Sequence, residues 1–303
     1  MEYSRKIQKQ INGKFERMKA FGESKRAHLA RGLAEGDKYK YTKDKIFSYK
    51  TFTTYKTNIE KAFNEIQKAN PDTKFKDINQ IEKHVPAYIE RLIDEGKSAW
   101  TIQAYTSALS KFYGKSNDQW GVTLPVRNRD DIVRTRNTRE RERFSEKLNP
   151  EVVRWARNSG LRRSELENIR KEDCKVINGK LVIDVKGQYA KGGQDRTVTT
   201  LAEGKDLDKM LERLEHLEPR NKVFGAIKAQ APIHKYRAEF AREMYDRKAR
   251  PLDQIKNKKE LYVLRGGERA GEKYDRLAMR EVSEALGHHR LDVVVNNYLQ
   301  GGY

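Results

Sequence analysis

Apolar positions recur at helical spacing from the start of the chain, where Ile7, Ile11, Phe15 and Met18 form one stripe and predict an amphipathic helix within residues 1–46. From residue 47 the pattern is more regular. Phe52, Tyr55, Ile59, Phe63 and Ile66 predict a helix closed by Asn70 and Pro71, and Ile78, Ile81, Val85, Ile89 and Leu92 predict a second that runs to Gly96. Ser98 is placed to cap a third, with the stripe Ile102, Tyr105, Leu109 and Phe112. Helical periodicity fails between Asp118 and Arg143. Beyond it, Lys180 to Val185 alternates around Leu181, Ile183 and Val185 and predicts a strand, with Arg196 to Leu201 returning as its partner through a turn at Gly192 and Gly193. A further hairpin is expected within 261–273, around Gly266 and Gly267. These signals divide the chain into an N-terminal arm (1–46), a helical domain (47–117), a linker (118–143) and a mixed domain (144–303). The fold class they predict is α+β, mainly α, with a small antiparallel sheet.

Composition adds a partner. The 303 residues suffice for two domains, and a hydrophobic content of 36% can fill a core in each. Lys and Arg number 64 against 44 Asp and Glu, a formal net charge of +20. Such an excess favours a polyanion, because basic side chains gain affinity for nucleic acid by releasing condensed counterions. The linker concentrates the charge in Arg127, Arg129, Arg134, Arg136, Arg139, Arg141 and Arg143, forks suited to phosphate, while Asp130, Asp131, Glu140 and Glu142 pair part of it internally. The N-terminal stripe has two readings, a basic arm on DNA or a helix packed on the next domain. No stretch approaches the roughly 18 consecutive apolar residues of a membrane span, and the N-terminus has no apolar signal run, so no membrane partner and a cytoplasmic, nucleoid-associated location are expected. The lone Cys174 excludes an internal disulfide and a thiolate metal cluster, and reads as a small buried residue.

Candidate chemistry lies in short strings of the mixed domain. The run SGLRRSEL, Ser159 to Leu166, closes one helix at Gly160 and opens another, which puts Arg162 and Arg163 where a helix start meets an anion. HKYR sets His234 and Arg237 on one helical face, LGHH spans Leu286 to His289, and VVVNNYL carries Tyr298 on a stripe with Leu291, Val294 and Val295. By periodicity alone Tyr298 is a core aromatic, and neither Arg162 and Arg163 nor His288 and His289 can be told apart.

The order of these strings is more specific. An arginine, a lysine in a hairpin turn, His-x-x-Arg, Leu-Gly-His and then a tyrosine about ten residues on resembles the tyrosine recombinase and phage integrase family. The resemblance spans residues 47–303, weakly over the helical domain and strongly over the mixed one. It implies Arg162 and Arg237 as a phosphate-binding pair, Lys191 in preference to Lys186 as the hairpin lysine, His234 and His288 as the histidines, Tyr298 as the nucleophile, and Glu165 as a support for Arg162. It also implies site-specific cleavage and rejoining of double-stranded DNA through a 3′-phosphotyrosine, with no cofactor and no metal, by a protein that self-associates on DNA as a dimer or tetramer. The sequence departs from the family pattern at Ala238, where a second histidine is usual, and in an insertion at 250–276. Only Leu299 to Tyr303 follow the tyrosine, so the family's further assembly helix is expected to be missing. A relaxase-like enzyme of the same chemistry, nicking a plasmid or transposon transfer origin, is the alternative. Outside enzymes, the alternatives are a DNA-binding protein without catalysis and a basic RNA-binding protein.

Overall fold

In the computed structural model, which describes residues 3–128, 144–190, 193–266 and 269–299, the N-terminal stripe lies on helix α1 (Arg5–Met18). The Ser4 hydroxyl accepts the Ile7 N–H and begins it. Ile7, Ile11 and Phe15 are buried with Phe63, Ile59 and Phe112, and Phe15 meets the Phe52 ring edge-on at 5.4 Å. Of the two readings of this stripe, packing is the one found. The first of two compact units, Met1–Asp131, therefore begins well ahead of the expected boundary at residue 47. Its other helices are α2 (Lys25–Ala34), α3 (Tyr49–Ala69), α4 (Ile78–Glu82), α5 (Val85–Asp94) and α6 (Ala99–Tyr113).

The single helix expected from Ile78 to Leu92 is thus two, and Pro86 gives the reason. Proline has no N–H for the carbonyl one turn back and is tolerated only in a helix's first turn, where it sits in α5. The apolar stripe crosses the break intact, with Ile78, Ile81, Val85, Ile89 and Leu92 all buried. Ser98 caps α6 by accepting the Thr101 N–H, and Asn70 ends α3. Past α6, Trp120 is buried and donates to the Ser110 hydroxyl at 2.8 Å, and Arg127 lies 4.8 Å over the Trp100 ring. The expected arginines from Arg129 to Arg143 lie outside the described residues.

The second unit, Ile132–Tyr303, mixes helices and strands. Helix α7 (Pro150–Ser159) leads into the short α8 (Arg163–Leu166), followed by strands β1 (Cys174–Ile177), β2 (Lys180–Val185) and β3 (Arg196–Thr199). The sheet is antiparallel in the order β1-β2-β3, with Ile183 opposite both Cys174 and Val198. Leu181, Ile183 and Val185 point inward as their alternation predicts. Strand β1 was not foreseen. It is short and mostly exposed, and joins β2 through Asn178 and Gly179, whose φ values of 51° and 73° suit the two-residue turn of a tight hairpin. Cys174 is only half-buried, in a site that still pushes its thiol up to about 12 through burial and the nearby Asp173.

Helices α9 (Gly204–Glu215) and α10 (Ile233–Lys248) come next, then the hairpin of β4 (Leu261–Val263) and β5 (Lys273–Asp275), and last α11 (Arg276–Ala285) and α12 (Leu291–Asn297). Trp155 of α7, Tyr236 and Phe240 of α10, Tyr274 of β5 and Met279 of α11 fill the core of this unit. The protein is α+β and mainly α. Among the described residues no helix is long and apolar enough to cross a membrane.

Candidate active site

Helix α7 ends at Gly160, whose φ of 60° is open to glycine and strained for other residues. The chain then turns into α8 with Arg162 at the N-cap and Arg163 as the first helical residue. The two arginines separate here. Arg163 sends its guanidinium to four carbonyls, those of Ile227, Lys228, Ala229 and Ala231, and so ties down the loop that leads into α10. Arg162 instead donates to Glu165 at 2.8 Å and to the Leu286 carbonyl at 3.2 Å.

Glu165 has no exposed surface. It accepts the Arg162 backbone N–H at 2.7 Å and is gripped from the other side by Arg196 of β3, at 3.0 and 2.7 Å. Burial alone would raise this carboxyl, but hydrogen bonds and charge from Arg196, then from Arg162, outweigh it and hold the group at about 2. Arg196 also donates to the Ala285 carbonyl. The sequence reading missed this residue, because nothing in its separation of 31 positions from Glu165 marks it.

The second centre is Arg237 on α10, which is fully buried. It donates to the Gly160 carbonyl, to the Leu286 carbonyl at 2.5 Å and to His288 Nε2 at 3.2 Å. The Leu286 carbonyl is thus a shared acceptor that brings the Arg162 and Arg237 guanidinium groups together. Burial draws Arg237 down to about 10, with the Tyr298 phenol resisting and the like charge of Arg162 adding to the fall. It stays cationic at neutral pH, in surroundings that favour an incoming anion.

Tyr298 closes the arrangement. Its hydroxyl is 3.1 Å from Arg237 Nε and 3.0 Å from His288 Nε2, and its ring lies 5.6 Å from the Arg237 guanidinium carbon. The tyrosine is the residue that ends α12, at φ −125° and ψ −40°, rather than a member of its helical turns as its stripe suggests. Val294 and Val295, on the same stripe, are buried and fix the helix beneath it. His289 is separated from its neighbour as well, being exposed at a positive φ of 53°.

His234 is exposed in the first turn of α10, one turn ahead of Arg237. Lys191 lies outside the described residues. The described flank of its turn is anchored where Ser164 of α8 donates to the Tyr189 carbonyl at 3.3 Å. Arg162, Glu165, Arg237, His288 and Tyr298 are therefore brought together, with Arg196 added. These described residues include three guanidinium groups and one carboxylate, Glu165, which Arg162 and Arg196 contact and Arg237 does not, so together they carry an excess of positive charge. Among the described residues no group of three His, Cys, Asp or Glu could hold a metal ion.

Neither a family model nor a curated protein matches the chain. Solved structures similar to it include the XerH site-specific recombinase bound to its palindromic difH substrate in a post-cleavage complex, at 16% identity and a TM-score of 0.48 over 90% of this chain and 80% of that one. XerA recombinase is similar at 16% identity and a TM-score of 0.32, over 92% of this chain and 94% of that one. The Tn1549 transposon integrase in complex with circular intermediate DNA is similar at 11% identity and a TM-score of 0.43, over 92% and 96%. Likeness at these levels assigns no chemistry to this chain; its own residues and their geometry carry that.

Proposed function

We propose that the protein is a site-specific recombinase that cuts and rejoins duplex DNA through a covalent bond to Tyr298. The observation that carries this reading is the Tyr298 hydroxyl held between Arg237 Nε and His288 Nε2. Arginine has donors only, so the phenol oxygen accepts from Arg237, and in a neutral ring His288 Nε2 is the acceptor for Arg237. The phenolic proton is then directed at the same Nε2 lone pair, which it shares with the Arg237 N–H. A tyrosine ordinarily ionises near pH 10, and a base at hydrogen-bond distance is what attack at neutral pH requires.

In the cleavage step the Tyr298 oxygen forms a bond to phosphorus and its proton passes to His288. The bond from phosphorus to the 5′ oxygen breaks, and that oxygen takes a proton from Lys191. Charge gathers on the nonbridging oxygens, where Arg162 and Arg237 stabilise it without a metal ion. Glu165 and Arg196 hold Arg162 in place for this, and His234 is assigned a further phosphate contact. The 3′-phosphotyrosine keeps the energy of the phosphodiester, so a 5′ hydroxyl from another strand can reverse the step without ATP. In the free protein Tyr298 covers Arg237, so an entering phosphate takes over the N–H that the phenol now accepts. The helical unit and the Arg-rich segment 118–143 are assigned to holding the duplex, with self-association on DNA.

The test is incubation with nicked duplexes drawn from the region around the protein's own gene, followed by denaturing electrophoresis and peptide mapping of trapped DNA. An adduct at Tyr298 is expected. An adduct at another residue, or none across the pool, overturns the reading. Exchange of flanks between two sites identifies recombination, and a single persistent nick identifies a nicking enzyme instead.

A further inference from the structure

The insertion at 250–276, which the chemistry above does not use, reaches the segment that carries Tyr298. Arg269, between β4 and β5, donates to the Val295 carbonyl at 3.3 Å and to the Leu299 carbonyl at 3.0 Å. These two acceptors bracket Tyr298 in the chain. The guanidinium is fixed from behind by Glu272, at 2.6 and 2.9 Å, and by the Tyr274 hydroxyl. Tyr274 is itself buried, lies edge-on to Tyr245 at 5.9 Å, and is 3.4 Å from the same Leu299 carbonyl.

Helix α12 has seven residues, too few to be stable without outside support. The last carbonyls of any helix lack partners within it, and a cation near them also meets the negative end of the helix dipole. Tyr298 has left helical φ and ψ and keeps one backbone tie to the helix, from its N–H to the Val294 carbonyl at 2.9 Å, so the carbonyls on either side supply the rest of its restraint. We propose that Arg269 is a positioning residue for Tyr298, a strap from the β4–β5 hairpin that fixes the end of α12 so that the phenol stands against Arg237 and His288. The inference rests on Tyr298 being the nucleophile.

Arg269→Ala, Arg269→Lys and Glu272→Gln test it with three readouts. In the DNA-free protein, amide exchange over residues 294–299 and the ring resonances of carbon-13-labelled Tyr298, assigned with Tyr298→Phe, report the strap itself. On a pool of nicked duplexes of random sequence at saturating protein, the rate of adduct formation and the noncovalent affinity are read separately. Arg269→Ala is expected to speed exchange, shift the Tyr298 resonance and slow adduct formation by roughly tenfold to a hundredfold, with affinity within about twofold. Arg269→Lys should recover part of the rate, because it can reach one carbonyl. Unchanged exchange and resonance, or a rate that falls only as far as affinity falls, overturns the strap. If Arg269→Ala does not fold, Glu272→Gln is judged by the same readouts, since it loosens the guanidinium and keeps its charge. Wild-type adduct mapped away from Tyr298 sinks the nucleophile assignment alone, because exchange and resonance still judge the strap without DNA.

Discussion

Arg237 is buried with its charge, and the phenol of Tyr298 is among the groups that make this tolerable. In the proposed reaction that arrangement makes the tyrosine both the attacking group and a competitor for the phosphate. Tyr298→Phe should therefore abolish the covalent adduct while noncovalent DNA affinity stays level or rises, measured by denaturing and native gels on one substrate. Tyr303→Phe should cleave nearly as the wild type does; an adduct that survives Tyr298→Phe would refute the assignment. Glu165 yields a pH prediction. Its folded carboxyl is held at about 2, below the ordinary 4.5, so its contribution to stability is full above the higher value and is lost as pH falls toward the lower one. Glu165→Gln should trail the wild type most at neutral pH, and the gap should close as pH falls from about 4.5 to about 2. Urea melts across that range check it, and a gap independent of pH would show that the charge on Glu165 contributes nothing.

At the level of elements, the junction of α7 and α8 carries the most. Gly160 takes positive φ, gives its carbonyl to Arg237, and packs so closely on Phe240 that a Cβ would fall 2.3 Å from the ring. Gly160→Ala should cost roughly 2 to 4 kcal/mol, combining backbone strain with overpacking. Gly114→Ala, at φ 70° with open space around it, should cost only about 1 kcal/mol. Denaturant melts that give the two variants equal losses would remove the Phe240 contact from the argument. The neighbouring hairpin shows what a sequence can hide in view. Asn178-Gly179 is a strong turn signal, yet β1 has no inward alternation to announce it, because most of its side chains are exposed.

For the whole molecule, the charge of +20 should be spent on phosphates. Affinity for duplex DNA should fall by orders of magnitude between about 50 and 200 mM salt, and a flat dependence would exclude counterion release as the source of binding. Cleavage should persist in excess EDTA, since the proposed mechanism has two guanidinium groups supply the cationic charge at phosphorus; loss on chelation with recovery on added Mg²⁺ would reject that mechanism.

The sequence by itself determined the faces. Stripes such as Ile7 to Met18 and the alternation of Leu181, Ile183 and Val185 follow from helical and extended periods that repeat within a few residues, so the buried side of each element is written locally. The ordered strings around Arg162, Arg237, His288 and Tyr298 also marked the candidate site. Choices between neighbours were left to the tertiary structure. Arg163 is consumed by four carbonyls of a distant loop while Arg162 meets Arg237 at the Leu286 carbonyl, and His288 rather than His289 reaches Tyr298. Arg196 and Arg269 had no local mark at all. Their partners lie on separate elements, and a hydrogen bond between elements depends on how they pack, which no short-range pattern encodes.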